Sequence, residues 1–306
     1  MGPDDLQTSR LSRAFRDFLP LPAKLEPHLK EALGRVLDNP GSLIRPEIVL
    51  QIGLDYGVLE NTVLDLAIGL EYFHTASLLF DDLPAMDDAV ERRGMPCVHV
   101  EFGDAGAILA ALALVNRAYA LVWRAVANTN HIDHARALTY LEQHLGVDGL
   151  LNGQSLDLHF ASRKTDCKAA AIGKTVSLIR LTLVLPAMLG GASVLELQLL
   201  ERISLFWGLS YQIVDDLKDV LQSSSESGKT PSRDLFLGRP NFALAVGIKG
   251  AVERLQRLIT LGDRMLDRLT LLRPGLTSLR HLRSELGEEA VELTQFACEP
   301  VAGGVA

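Results

Sequence analysis

Apolar residues in this chain recur every three to four positions over long stretches, and runs that alternate apolar with polar are few. That period marks amphipathic or buried helices. It predicts helices over residues 24–37, from Arg45-Pro46 onward, and over 60–83, 104–127, 131–145, 146–162, 167–189, 193–221, 240–248, 250–270 and 277–296. Asp38-Asn39-Pro40-Gly41 reads as a turn, and Pro46 suits a first helical turn. The serine-rich stretch 223–232 is the most loop-like, while residues 1–20 and 299–306 read as partly ordered. No repeat of solenoid period and no linker-like segment divides the chain. The expectation is therefore an all-α fold: one domain over 1–306, built as a large helical bundle around a central apolar cavity.

Composition sharpens this picture. The 306 residues are 48% hydrophobic and only 6% aromatic, with a mean hydropathy of +0.17. Stretches 105–123 and 175–192 are membrane-like at first sight, but Asn116-Arg117 interrupts one, and Arg180 and Pro186 the other. Neither reaches the uninterrupted length of roughly 20 residues that a spanning helix needs, so buried core helices and no transmembrane segment are expected. The first residues show no basic patch followed by an apolar core, so no secretory signal is expected. A net charge of −8 argues against a nucleic-acid partner, although local basic residues can still hold an anion. Cys97, Cys167 and Cys298 are odd in number and lack metal-type spacing, which fits a reducing cytoplasm.

Against this apolar background two acidic clusters stand out: Asp81-Asp82-Leu-Pro-Ala-Met-Asp87-Asp88 and Asp215-Asp216-Leu-Lys-Asp219. Each ends an apolar helical run, where bare carboxylates are costly to keep near a core. Divalent cations such as Mg²⁺ relieve that cost, and they complete their shells with water and substrate phosphates. Asp215 and Asp219 share a helix face with Asp216 beside them, and Gln212 stands one turn earlier. Asp82 and Asp87 do not share an ideal helical face. Pro84 should end the helix after Asp82, letting the chain curl so that Asp87 or Asp88 returns toward Asp81. Basic groups follow the clusters: Arg92-Arg93-Gly94 after the first and Gly228-Lys229 after the second. Lys174-Thr175 opens an apolar helix, offering an ammonium, a hydroxyl and helix N–H groups to an anion. Together they supply what a bound diphosphate needs.

The first stretch, from His74 through Asp81-Asp82 and Asp87-Asp88 to Arg92-Arg93-Gly94-Met-Pro96, resembles the first aspartate-rich motif of the trans-isoprenyl diphosphate synthases, the polyprenyl synthetase family. Tyr211-Gln212-Ile-Val-Asp215-Asp216-Leu-Lys-Asp219 resembles the second. Gly149-Leu-Leu-Asn-Gly153-Gln154-Ser-Leu-Asp157, Lys174-Thr175 and Gly228-Lys229 match further landmarks in order, so the resemblance covers roughly 25–295. It implies an all-helical homodimer that condenses an allylic diphosphate with isopentenyl diphosphate, head to tail. Asp81, Asp82, Asp87, Asp215, Asp216 and Asp219 would bind Mg²⁺, three ions with the allylic diphosphate. Arg92, Lys174 and Lys229 would neutralise that group, with Thr175, Gln212 and the basic Arg239 beside it. Asp81, Asp82, Asp215, Asp216 and Lys174 would serve ionisation to an allylic carbocation, and Arg45, His74 and Arg93 would position isopentenyl diphosphate. The departing diphosphate would take up the proton.

The sequence also departs from the family pattern. Pro40-Gly41-Ser42-Leu43 replaces the usual Gly-Gly-Lys-Arg, so Ser42 stands where a lysine would hold isopentenyl diphosphate. Losing such a contact costs about 1.5–3 kcal/mol, roughly one to two decades of affinity. Arg239 replaces a lysine, Ala111-Leu112 replaces Gly-Asp, and Phe80 replaces a histidine. Ala76 and Ser77 are both small, and family members that stop at C15 often carry an aromatic at the position of Ala76, which favours a product of C20 or longer. The missing lysine keeps two alternatives open: a terpene-synthase-like lyase that ionises its substrate without an acceptor, and a weakly active subunit of a heteromeric synthase.

Overall fold

The computed structural model describes residues 3–129, 134–160, 166–221, 233–276, 278–280 and 282–284. Eleven helices are assigned among them: α1 Pro3–Asp17, α2 Pro27–Leu37, α3 Ile44–Asp55, α4 Glu60–Asp81, α5 Val98–Ala127, α6 His134–Leu145, α7 Leu150–Leu158, α8 Cys167–Leu189, α9 Val194–Leu221, α10 Arg233–Leu237 and α11 Phe242–Leu272. A two-stranded hairpin, β1 Glu91–Arg92 with β2 Met95–Pro96, stands between α4 and α5. The all-helical expectation holds. Contacts group the chain into two compact units, Met1–Glu142 with Leu181–Ser193, and Gln143–Arg180 with Val194–Ala306.

In the first unit α4 is buried almost all round, as expected of a helix with apolar residues on every face. It lies along α5, where Gly69 permits close approach: a Cβ there would come within 2.9 Å of Val122. Residues 1–20 gave no clear period, yet α1 is helical through Asp17. Leu11 and Phe15 are buried, and Phe15 stacks edge-on against Tyr72 of α4 with ring centroids 5.0 Å apart. Tertiary packing therefore orders a segment whose local pattern is weak. Helix α5 starts at Val98, earlier than its periodicity suggested, because Gly103 (φ 71°) breaks the helical backbone and restarts it.

In the second unit α9 packs along α11 around Leu209, Ile213, Val214, Leu217, Phe242, Ala251 and Leu255. The helices expected at 240–248 and 250–270 are one element interrupted at Gly247 (φ 77°). The region expected as 146–162 narrows to α7, and only fragments of the region expected over 277–296 lie among the described residues. Helix α8 contains a π-helical stretch, Ile172–Val176. There Gly173 meets Gly153 of α7 so closely that a Cβ on Gly153 would sit 2.1 Å from the Lys174 nitrogen. Helices α4, α5 and α8 are each long and apolar enough to cross a membrane by length and composition, with 78%, 44% and 61% of the respective windows buried inside the protein.

Candidate active site

The first acidic cluster is shaped by main-chain bonds rather than by helical periodicity. Helix α4 ends at Asp81 with Asp82 as its C-cap, since Pro84 disfavours helix in the residue before it. The chain then folds back: the Asp87 N–H donates to the Asp81 carbonyl at 2.9 Å, and the Ala89 N–H to the Asp82 carbonyl at 3.1 Å. Asp87, rather than the exposed Asp88, is thereby held beside Asp81, and both are half-buried. Asp82 points inward, 3% exposed. Its carboxylate is gripped by Arg92, with Nε at 2.8 and 2.9 Å from the two oxygens and Nη2 at 2.6 Å from Oδ1. The hairpin supplies that grip: Arg93 (φ 56°) and Gly94 (φ 71°) form a tight turn of the type hairpins prefer. Arg92 therefore partners the cluster itself.

The residues assigned to isopentenyl diphosphate come together in the same unit. Arg45 donates from Nη1 to His74 Nε2 at 3.0 Å, which makes the second ring nitrogen the protonated one in a neutral imidazole. Burial, reinforced by the positive charges of Arg45, Arg93 and Arg92, holds the His74 pKa well below its ordinary value. One turn earlier Glu71 is buried; desolvation pushes its carboxyl up to about 7, while Arg45 and Arg93 pull it back. The Arg93 guanidinium rests on Gly41, and Ser42 next to it is exposed.

The second cluster follows the helix. Asp215 is exposed and Asp219 half-buried on α9, whereas Asp216 is 1% exposed. Asp216 accepts from the Phe242 N–H at 2.6 Å and from the Gln212 amide at 2.8 Å. Burial pushes its carboxyl up to about 8 against those two bonds. Thr175 donates to Gln212 at 2.5 Å, so both are tied to Asp216. The Asn241 amide bridges the Asp216 carbonyl and the Asp234 carboxylate while its oxygen caps α11. Burial likewise lifts Asp234 to about 6. Lys174 and Arg239 converge on one oxygen of Asp157, at 3.1 and 3.8 Å. The Gly153–Gly173 contact allows α7 and the π-helical stretch of α8 to bring this trio together. Lys229 lies outside the described residues.

Each cluster thus divides into an inward strut, Asp82 or Asp216, and an outer pair, Asp81 with Asp87 or Asp215 with Asp219. The outer pairs have the chemistry of a hard-cation site. Among the described residues no three His, Cys, Asp or Glu side chains form a ready metal-binding group. Mg²⁺ suits such sparse donors, since it keeps several waters and takes one or two carboxylates plus substrate phosphates. Four residues that the motifs left without a role belong to these networks: Glu71, Asp157, Asp234 and Asn241. Helical spacing to His74 signals Glu71. Nothing local signals Asp234 or Asn241, which join through tertiary contacts.

The fold is that of the isoprenoid synthases. It matches the geranyltranstransferase of Thermotoga maritima with a TM-score of 0.76 at 27% identity, over 93% of this chain and 98% of that one. It matches the Helicobacter pylori geranyltransferase complexed with magnesium and isoprenyl diphosphate with a TM-score of 0.76 at 26% identity, over 96% and 99%. Fold and sequence together define an enzyme of the isoprenyl diphosphate synthase class. The chain belongs to the polyprenyl synthetase family, whose pattern spans residues 26–266. The family uses Mg²⁺ and acts on allylic diphosphates and isopentenyl diphosphate in isoprenoid biosynthesis. Among its relatives, geranylgeranyl pyrophosphate synthase 10 of Arabidopsis thaliana is 34% identical over 259 residues, 81% of this chain and 74% of that protein. The geranylfarnesyl diphosphate synthase of Leucosceptrum canum is 33% identical over 244 residues, 78% and 67%.

Proposed function

We propose that this chain condenses an allylic diphosphate with isopentenyl diphosphate, head to tail, to give a trans-polyprenyl diphosphate of C20 or longer. The observation that carries this reading is the pair of outer carboxylate sets, one made by the returning Asp81–Asp87 loop and the other by the Asp215–Asp219 face of α9. These four residues would hold Mg²⁺, three ions by the family pattern, with Asp82 and Asp216 bracing them from inside. Bound Mg²⁺ supplies Lewis-acid stabilisation of a departing diphosphate. Lys174 and Arg239, already converged near Asp157, would neutralise the same anion beside Lys229, Thr175 and Gln212. Arg45, His74 and Arg93 would hold isopentenyl diphosphate; His74, neutral and bonded to Arg45, serves as an N–H donor rather than a charge. Ala76 is buried and Ser77 bonds back to the His74 carbonyl, and the small size of both side chains is what favours a long prenyl chain. The names of the relatives span geranyltransferases, geranylgeranyl and geranylfarnesyl synthases, so the length rests on the small residues of α4 rather than on those names.

Ser42 supports a second reading, a lyase that ionises the allylic diphosphate without an acceptor. One incubation separates the two. Purified protein with Mg²⁺ and farnesyl diphosphate, with and without labelled isopentenyl diphosphate, is expected to yield labelled C20 or longer diphosphates. An unlabelled hydrocarbon or alcohol would favour the lyase, and C15 as the sole product from shorter primers would refute the chain length. We further propose a homodimer through α5, which exposes Leu109, Leu112, Tyr119 and Trp123; light scattering at the monomer mass would refute it.

A further inference from the structure

One turn of α4 carries three buried polar atoms with no hydrogen-bond partner among the described residues: Glu71 Oε2, His74 Nδ1 and Thr75 Oγ1. Each such group costs about 1–3 kcal/mol, so a cluster of them calls for a physical reason. Their spacing places them on one helix face. Two guanidinium groups act on that face from different elements. Arg45 of α3 bonds His74 Nε2 at 3.0 Å. Arg93, from the hairpin turn, lays its guanidinium on Gly41, where a Cβ would come within 2.3 Å of the Arg93 Cζ. Glu71 is the strongest favourable charge acting on Arg93, whereas Arg92 and Arg45 repel it. Arg92 has Asp82 as its own partner.

We propose that Glu71 is a positioning residue for an anion subsite formed by Arg45, His74 and Arg93, holding the two guanidiniums convergent on the diphosphate of the acceptor. This rests on the prenyl-transfer reading above. Two like charges brought to one helix turn repel each other, and Arg93 is an exposed residue that can relax into water. A buried carboxylate on α4 opposes that relaxation while remaining too enclosed to capture either guanidinium as a surface pair would. The absence of a lysine at Ser42 leaves the subsite with fewer cations, so the placement of the remaining two carries more of the affinity. The open donor at His74 Nδ1 and the hydroxyl of Thr75 are further groups that a ligand oxygen or its water can satisfy.

The test is calorimetric titration of inorganic diphosphate in buffer containing EDTA, which silences the Mg²⁺-dependent sites, joined to steady-state kinetics. Wild type is expected to bind, and Glu71→Gln to bind at least about tenfold more weakly at a pH of about 8, with Glu71→Asp recovering part of the loss. The KM for isopentenyl diphosphate should rise by the same factor, while kcat and the allylic KM move less than about twofold. Gly41→Ala, which displaces Arg93 without touching Glu71, should weaken binding by itself. The double variant should then be weaker by less than the product of the two single effects. If Glu71→Gln does not fold, Glu71→Asp takes its place in that cycle. The proposal is overturned if wild type binds no diphosphate without metal, if Glu71→Gln binds as well or better, if both KM values rise together, or if the double-variant effects simply multiply. Glu71-dependent diphosphate binding by a protein that never incorporates isopentenyl diphosphate would support the subsite and overturn only the prenyl-transfer reading.

Discussion

The two acidic clusters have nearly the same composition but are built by different physics. In the first, a proline ends the helix and main-chain bonds carry Asp87 back to Asp81. In the second, helical spacing alone puts Asp215 and Asp219 on one face. Their inward struts differ as well. Asp82 meets a guanidinium through three short contacts, whereas among the described residues Asp216 meets neutral donors, the Phe242 N–H and the Gln212 amide. The Asp216 carboxyl is accordingly pushed up to about 8 by burial. The lesson is that a repeated acidic motif does not imply a repeated electrostatic environment. The first cluster is braced by an ion pair and the second by a hydrogen-bond network that joins α8, α9 and α11.

The sharpest way to break this comparison is to remove the counter-charge. Arg92→Ala leaves Asp82 buried and unpaired, and should cost about 3–5 kcal/mol in urea denaturation. Adding Asp82→Ala should restore much of that loss, and a fully additive double variant would show that the pair is not coupled. The outer carboxylates should behave alike despite their different construction. Asp81→Asn and Asp215→Asn should each lower kcat about 10²–10³-fold, and a large effect in one alone would refute a shared role.

Glu71 offers a probe confined to the first unit. Its folded value of about 7 lies above its ordinary 4.5, so between those values the folded state binds more protons than the unfolded one. Stability should therefore be greatest below pH 4.5 as far as this group is concerned, and should fall as pH rises toward 7, by at most about 3 kcal/mol. Glu71→Gln should flatten that slope in thermal melts across the window; an unchanged slope would assign it to other groups. The smallest effect is expected in the second cluster. Gln212→Ala removes a neutral bond from Asp216 and should cost about 1 kcal/mol, and a cost as large as that of Arg92→Ala would erase the contrast between the two struts.

Much of the candidate site was legible because its signals are local. Pro84 announced the end of α4 and the return of the chain, although the choice between Asp87 and Asp88 fell to the main-chain hydrogen bonds that tie the loop back to Asp81 and Asp82. The spacing of Gln212, Asp215, Asp216 and Asp219 placed them near one another on α9 without further help. Other features had no local signature. The inward turn of Asp82 and Asp216 depends on which neighbours cover them, and Arg92 reads equally well as a ligand group or as a structural partner. Asp234 and Asn241 join Asp216 only because α11 begins beside it. Helix α1 has no clear local signature, and its order comes from burial, with Phe15 packed edge-on against Tyr72 of α4.

Helical period, the placement of Pro and Gly, and the order of the aspartate-rich motifs determined the fold class, the boundaries of most helices and the residues where chemistry concentrates. These are properties of neighbouring residues, and backbone sterics acts over the same short range. Tertiary structure decided which carboxylates face outward and which are struts, that Lys174 and Arg239 converge on Asp157, and that Glu71 is enclosed beside Arg45 and Arg93. Those outcomes depend on burial and charge between residues distant in sequence, where desolvation and electrostatic pairing act through space rather than along the chain.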